Sequence, residues 1–129
     1  SMTPTFLIGQ DRVAVLGTPG GSRIVTMVLL GLFELMQGEG AQATAAAPRF
    51  HHQYLPDVVQ AEKAAFEPAE IEALEAMGHD VEAGDRTWGN MQVVLWHTRD
   101  GRVEAGTDPR WKGVGKGAAS GAQEGSIYR

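Results

Sequence analysis

The sequence predicts an α+β domain with mainly antiparallel strands. Its length of 129 residues corresponds to one domain. Two pairs of short apolar runs, each joined by a polar or glycine-containing turn, predict two β-hairpins. A long apolar segment between the two pairs predicts a helix that covers the sheet, and this combination is typical of the α+β class.

The first half of the chain contains the first hairpin and the long helix. Residues 5–8 and 13–17 are apolar runs separated by the turn sequence GQDR, so we expect two paired strands. In residues 23–37, ten of the 15 side chains are bulky and apolar, which predicts a helix buried on most sides. The following GEG sequence ends this helix.

The second half alternates short helices, loops and strands. An alanine-rich helical turn is expected at residues 41–47, ended by Pro48, and "RFHHQYLP" is expected to be a loop. A helix is predicted from Pro68 to Met77, with Gly78 as its stop and an inward face of Ile71, Leu74 and Met77. Residues 91–97 and 102–106 flank the turn TRDG and predict the second hairpin.

Composition and charge exclude several classes of protein. The 11 basic and 16 acidic residues give a net charge of −5, so the basic surface of a nucleic-acid-binding protein is missing. The absence of cysteine excludes a disulfide framework, a cysteine zinc site and a thiol nucleophile. The longest apolar stretch, residues 24–33, is much shorter than the roughly 18 residues of a membrane span. Periplasmic or secreted and cytoplasmic locations in a bacterium both stay open.

The sequence TPGGSR at residues 18–23 is a candidate site. Its two glycines stand between a strand and a long helix, where backbone N–H groups without helical partners can bind an anion. Glycine also allows a substrate to approach the backbone closely. Spacing alone favours the simpler interpretation of a strand-to-helix turn, and no Lys-Ser or Lys-Thr follows that would complete a nucleotide-binding loop.

The other polar side chains give weaker signals. His51 and His52 are adjacent, so their side chains diverge and local hydrogen bonds are a simpler explanation than a metal site. His79 and His97 receive no role. The acids of the predicted third helix are interpreted as a solvated face, and the three tryptophans as packing residues. We therefore predict neither a metal nor a cofactor.

Five sequence blocks, taken in order, resemble the C-terminal part of a γ-glutamyltransferase, a member of the N-terminal nucleophile hydrolase superfamily. The blocks cover most of the chain, and one of them is eleven residues long. They are "SMTPT" at residues 1–5, "PGGSRI" at 19–24, "APRFHHQYLPD" at 47–57, the Gly-x-x-Gln of residues 89–92, and "DPR" at 108–110.

The resemblance implies a fold and a reaction. The fold is an αββα sandwich. The precursor cleaves itself, and the small subunit that results begins with a catalytic threonine. That threonine attacks the γ-glutamyl amide of glutathione or a similar donor, and the γ-glutamyl group then passes to water, an amino acid or a peptide. Such chemistry requires backbone donors for the developing oxyanion. The resemblance assigns this role to the N–H groups of Gly20 and Gly21, and it assigns Ser1 to the donor's α-carboxylate.

The family's nucleophilic threonine would lie upstream of all five blocks. We therefore expect residues 1–112 to be the C-terminal portion of a small subunit and residues 113–129 to be a glycine-rich, disordered tail. Its partners would be a γ-glutamyl donor, the missing part of the small subunit and the large subunit. The fragment itself is expected to self-associate or to pack against its missing portion. Two alternatives stay open: a relative of the acylases that remove glutaryl side chains from cephalosporins, and a non-catalytic binding or assembly domain.

Overall fold

The computed structural model describes residues 3–110 of the chain. Seven strands and three helices follow one another in this range. They are β1 (Thr5–Ile8), β2 (Arg12–Gly17), α1 (Ile24–Gln37), α2 (Ala41–Ala46), β3 (Phe50–His51), β4 (Val59–Glu62), α3 (Pro68–Ala76), β5 (Val81–Gly84), β6 (Gln92–His97) and β7 (Val103–Thr107).

Four strands form the larger of two sheets, in the order β1-β2-β6-β7 with all neighbours antiparallel. Both predicted hairpins are present, and β2 pairs with β6 to join them. Because side chains alternate between the faces of a strand, the inner face of this sheet carries Ala14, Leu16, Val93 and Leu95, which are all about 1% exposed. The α+β class and the antiparallel hairpins are confirmed.

The core lies between this inner face and two helices. Met27 and Leu35 of α1 and Ala41 and Ala45 of α2 are fully buried against it. Helix α2 approaches the sheet so closely that a Cβ on Gly106 would lie 2.1 Å from the Ala41 carbonyl oxygen. Only glycine can occupy that position of β7 without moving the helix.

The outer face of the large sheet is apolar and exposed. The register brings together two rows of four residues across the four strands, and the exposed members include Phe6, Ile8, Trp96 and Val103. We call this surface the outer sheet face; its two rows are Phe6, Val15, Val94, Ala105 and Ile8, Val13, Trp96, Val103.

Helix α1 is buried on one side and exposed on the other. Ile24, Met27, Val28, Gly31 and Leu35 are buried, as its apolar sequence predicts. The prediction of burial on most sides does not hold within residues 3–110. A stripe of Val25, Leu29, Phe33 and Met36 is 46–78% exposed, and its spacing of three or four residues places it on one helix face.

A second, smaller sheet corrects the loop prediction for "RFHHQYLP". Phe50 and His51 form β3, which pairs antiparallel with β4, and β4 pairs in parallel with β5. Helix α3 is the crossover between the two parallel strands, as parallel pairing requires. The prediction missed this sheet because none of its strands exceeds four residues, so that even the alternating VQAE sequence of β4 is too short to give a strong strand signal.

Helix α3 begins and ends close to the predicted residues. Glu67 and Glu70 form a reciprocal capping box, and Pro68 occupies the first turn. The inward face is weaker than expected, since Ile71 and Leu74 are half-buried and Met77 is 69% exposed. Ser1 and the glycine-rich segment 113–129 lie outside the described residues.

Candidate functional site

The candidate site is the loop of residues 18–22, between the end of β2 and the start of α1. Strand β2 is paired on both sides, to β1 and to β6, up to its last residues. A 3-10 turn at Gly21–Arg23 then leads directly into α1. The loop is therefore held at both ends by regular structure.

Gly20 and Gly21 have different surroundings. A Cβ on Gly20 would lie 2.3 Å from the Met27 Cε, so this residue packs directly against α1. Gly21 has φ +59°, in the left-handed region that favours glycine. Apart from Gly21 itself and its neighbours along the chain, no heavy atom of residues 3–110 lies within 4 Å of the position where its Cβ would be, so the space in front of Gly21 is open.

The amides and carbonyls of this loop have different roles. Within residues 3–110, the N–H groups of Gly20 and Gly21 donate no hydrogen bond. The carbonyls of the same peptide units are occupied: the Thr18 hydroxyl donates to the Pro19 oxygen over 3.0 Å, and the Arg23 N–H donates to the Gly20 oxygen over 3.2 Å. Two adjacent backbone donors are thus left for an external oxygen atom.

A second segment, Trp88–Asn90, supports the loop from the side. The Asn90 N–H donates to the Thr18 hydroxyl over 3.0 Å. Gly89 has φ +86°, and a Cβ there would lie within 3.0 Å of the Met27 sulfur, an Arg49 nitrogen and the Thr18 hydroxyl. The missing side chain of Gly89 therefore allows three parts of the fold to meet.

Arg23 completes the contact between the two segments. Its guanidinium carbon lies 5.2 Å from the centroid of the Trp88 ring, and its Nη2 donates to the Gln60 Oε1 over 2.5 Å. Stacking on an aromatic face is a favourable position for a guanidinium. The turn after Gly21 is in this way connected to the small sheet.

A buried ionic network lies behind the Trp88–Asn90 segment. Arg49 donates to the Trp88 carbonyl over 2.7 Å and forms a 2.7 Å ion pair with Asp108. Arg110 bonds both Asp108 and Glu62, over 3.1 and 2.5 Å. These four residues form the buried ionic network: Arg49, Glu62, Asp108 and Arg110.

The environment changes the pKa values of three members of this network. Burial alone would raise the pKa of Asp108, but hydrogen bonds from the Arg110 and Met91 amides and the charge of Arg49 lower it overall. The pKa of Arg49 is lowered by burial and by the neighbouring Arg110. The pKa of Arg110 is raised, because its bonds to Glu62 and Asp108 outweigh the effect of burial. The carboxylate of Asp108 is therefore stabilised in its ionised form.

The remaining candidate residues have local, structural partners. His51 is buried between the Thr26 hydroxyl and the Gln53 side chain, at 2.9 and 3.0 Å, and His52 pairs with Asp57. His97, for which the sequence indicated no partner, bonds Glu104 over 2.7 Å. The acids of α3 are exposed.

Neither a metal site nor a membrane helix is found in the described part of the chain. Residues 3–110 contain no cluster of three or more histidine or acidic side chains suited to a metal ion. None of the helices in that range has the length and apolar character needed to cross a membrane.

The five sequence blocks converge around the loop. Residues 49, 89 and 108, from three different blocks, are linked through the ionic network and the packing of Gly89. The first block lies against the residue just before the loop, since a Cβ on Gly17 would lie 3.5 Å from the Thr3 carbonyl oxygen and from the Pro4 Cα. Blocks that are about 100 residues apart in the sequence thus come together at or beside residues 17–22.

The family model described as gamma-glutamyltranspeptidase matches residues 1–118. This chain belongs to the gamma-glutamyltranspeptidase family. The glutathione hydrolase proenzyme of Escherichia coli strain K12 is 38% identical over 112 residues, which are 85% of this chain and 19% of the relative. The corresponding proenzyme of Pseudomonas sp. strain A14 is 40% identical over 97 residues, or 74% of this chain and 17% of the relative.

Solved structures of the family agree with the fold. A Helicobacter pylori gamma-glutamyltranspeptidase carrying the substitution T380A matches with a TM-score of 0.75 and 33% identity over 86% of this chain. The match covers 61% of that chain. Structural relatives of this kind confirm the fold as part of an N-terminal nucleophile hydrolase. This chain spans about a fifth of the length of the two proenzymes named above.

The sequence blocks identified the glycine pair but not all the residues that hold it. Thr18, directly before the "PGGSRI" block, and Asn90, inside the Gly-x-x-Gln block, were not singled out. Their side chain and amide meet across 72 positions of sequence, so no local pattern could reveal the contact. Arg49, Asp108 and Arg110 stand in recognised blocks, and the structure adds Glu62 as their fourth partner.

Proposed function

We propose that this chain is the C-terminal part of the small subunit of an autoprocessed γ-glutamyltransferase. In this proposal a longer precursor, here called the complete precursor, contains residues 1–112 as the end of its catalytic fold and residues 113–129 as a tail. The family membership and the small share of the relatives' length that the chain covers both support it. The complete precursor transfers the γ-glutamyl group of glutathione or a similar donor to water, an amino acid or a peptide.

Gly20 and Gly21 form the oxyanion hole in this proposal. When a nucleophile attacks an amide carbonyl, the carbonyl oxygen becomes negatively charged, and pre-oriented N–H groups stabilise that charge. The observation that carries the assignment is the pair of adjacent N–H groups that donate no bond within residues 3–110, beside open space at Gly21. Both belong to a loop that packing and hydrogen bonds keep in place.

The nucleophile and part of the donor site come from elsewhere in the complete precursor. By the family resemblance, an upstream threonine attacks the amide, with its own amine as the base. Ser1 is proposed to bind the α-carboxylate of the donor. Its block supports this role, because Pro4 and Thr3 of the same block lie against Gly17 beside the glycine loop.

The two exposed apolar surfaces are proposed to contact the rest of the complete precursor. The outer sheet face would pack against the second sheet of the αββα sandwich, as face-to-face sheets do. The exposed stripe of α1 would contact another part of the small or large subunit. Exposed apolar surfaces of this continuity are typical of protein interfaces, which supports both assignments.

The oxyanion assignment is tested by replacing Gly21 with valine in the complete precursor. Turnover of γ-glutamyl-p-nitroanilide is measured after processing. A valine side chain at Gly21 would fill the open space in which the substrate oxygen must lie, and loss of one oxyanion donor typically costs about 10² to 10³ in kcat. We expect a loss of kcat in that range, with a much smaller change in KM.

Gly78→Val is the matched control for Gly21→Val. Gly78 also has a positive φ, +94°, and open space at its Cβ position, but it ends helix α3 far from the loop in sequence. Equal kcat in the Gly21 and Gly78 variants would refute the oxyanion assignment. Absence of turnover by the unaltered complete precursor would instead favour the non-catalytic binding domain.

A further inference from the structure

The direction of each free amide in the loop is set by the carbonyl of the same peptide unit. A peptide unit is planar, and in the trans form its N–H and C=O point in opposite directions. In the described part of the chain, only the Leu55–Pro56 bond is cis. A group that holds the Pro19 oxygen therefore also sets the direction of the Gly20 N–H.

The Thr18 hydroxyl is that group. It donates to the Pro19 oxygen over 3.0 Å, and Thr18 is completely buried. The Pro19 oxygen is therefore drawn toward the interior, and the Gly20 N–H on the opposite edge of the peptide plane points away from Thr18. The equivalent bond for the next unit is made by the backbone, since the Arg23 N–H holds the Gly20 oxygen at 3.2 Å.

The hydroxyl itself is oriented by a partner outside the loop. The Asn90 N–H donates to the Thr18 oxygen over 3.0 Å. This bond uses a lone pair and leaves the single hydroxyl proton for the Pro19 oxygen, which lies 3.0 Å away. The Trp88 carbonyl, two residues before Asn90, is held by Arg49 of the buried ionic network.

We infer that Thr18 is a positioning residue for catalysis, whose hydroxyl orients the Gly20 N–H toward the oxyanion. This inference rests on the proposed function of the glycine pair. Thr18 does not contact the substrate in this role and contributes no proton to the reaction. The Thr18 hydroxyl affects only an N–H group that acts in the transition state. Loss of the hydroxyl therefore lowers kcat and leaves the binding of the γ-glutamyl substrate nearly unchanged.

The test compares four side chains at position 18 of the complete precursor. Serine keeps the hydroxyl, cysteine offers a weak S–H donor, and valine retains the branched shape without a hydrogen-bonding group. The substrate is γ-glutamyl-p-nitroanilide. In enzymes generally, a misplacement of about 1 Å costs up to about 10²-fold in rate. We expect Thr18→Val to lower kcat by about 10- to 100-fold with KM changed less than about threefold, Thr18→Ser to restore most of kcat, and Thr18→Cys to fall between them.

Thr44→Val is the control for removal of a buried hydroxyl. Thr44 is 1% exposed, and its hydroxyl has no hydrogen-bond partner among residues 3–110, so valine should leave kcat unchanged. All assays are run well below the lowest thermal midpoint of the series. If Thr18→Val does not fold, the serine and cysteine variants decide the question, because both retain a polar atom for Asn90.

Each outcome separates this inference from the proposed function. Equal kcat in all folded Thr18 variants of an active enzyme overturns the positioning role while the proposed function stands. A parallel rise in KM and fall in kcat that serine does not restore shows a general packing role and also overturns it. An unaltered precursor without γ-glutamyl turnover removes the proposed function, and this inference falls with it.

Discussion

Replacing Asp108 with asparagine should destabilise the fold far more than the loss of one ordinary ion pair. The carboxylate of Asp108 is completely buried and has four polar contacts, two at each oxygen: three hydrogen bonds and the 2.7 Å ion pair with Arg49. All four partners are hydrogen-bond donors: the backbone amides of Met91 and Arg110 and the guanidinium groups of Arg49 and Arg110. Asparagine has only one carbonyl oxygen, so its NH₂ group must face two of these donors.

The size of the effect follows from burial. The Arg49 side chain is 3% exposed, so the substitution leaves it buried beside Arg110 with one carboxylate fewer. Removing one partner of a buried ion pair typically costs about 3 to 5 kcal/mol. Asp11→Asn is the control, since the Asp11–Arg99 pair is 50% and 79% exposed and such pairs contribute about 0 to 1 kcal/mol.

Urea unfolding of the 129-residue chain, followed by tryptophan fluorescence at one fixed protein concentration, measures both variants. With m-values of about 1 to 3 kcal/mol/M, a loss of 3 kcal/mol lowers the midpoint by about 1 M or more. Asp11→Asn should shift it only slightly. Equal shifts in the two variants would show that the buried ionic network contributes no more than a surface pair.

Three further predictions concern pH, glycine packing and association. The pKa of Asp108 is lowered by folding from 3.8, so the ionised carboxylate stabilises the folded chain above that pH. This stability is lost as the pH falls through the lower pKa of the folded state. The decrease in the urea midpoint caused by Asp108→Asn should therefore be smaller at about pH 3 than at pH 7. Gly101→Ala should lower the free energy of unfolding by about 1 to 2 kcal/mol, because of the positive φ alone. Gly89→Ala should lower it by about 1 to 3 kcal/mol more, because the new Cβ overpacks the interior. Equal thermal midpoints of the two variants would contradict the crowding at Gly89. Trp96→Glu on the outer sheet face should reduce self-association of the chain, measured by sedimentation velocity at micromolar concentrations. Met77→Glu, at an exposed residue outside that face, should not. A monomeric unaltered chain would disprove the association.

The sequence predicted the elements that depend on local signals. Both hairpins have turns next to their strands, and α1 and α3 have glycine stops or a proline start. The small sheet lacked such signals because its stability depends on distant residues. Glu62 at the end of β4 is buried, and Arg110 and the Arg49 amide bond its carboxylate. A pattern that treats acids as solvent-facing cannot predict that burial.

The candidate site was predictable only in part, for a related reason. The sequence blocks identified Gly20 and Gly21 through the family resemblance, and positive φ at Gly21 agrees with a glycine requirement there. The exposed stripe of α1 shows the limit of periodicity. An apolar sequence on all sides of a helix predicts that every side is buried. It does not say which side is buried by these 129 residues and which by another polypeptide segment.

The central position of β2 has a consequence for the timescale on which the loop can move. Local openings of a protein begin at frayed ends and edge strands, and the amide protons of doubly paired strands exchange with solvent only in the rarest openings. The loop of residues 18–22 continues directly from such a strand. In the proposed function, the glycines of this loop are therefore ordered before the γ-glutamyl donor arrives. The conformational entropy that flexible glycines would lose at each turnover is then lost only once, during folding.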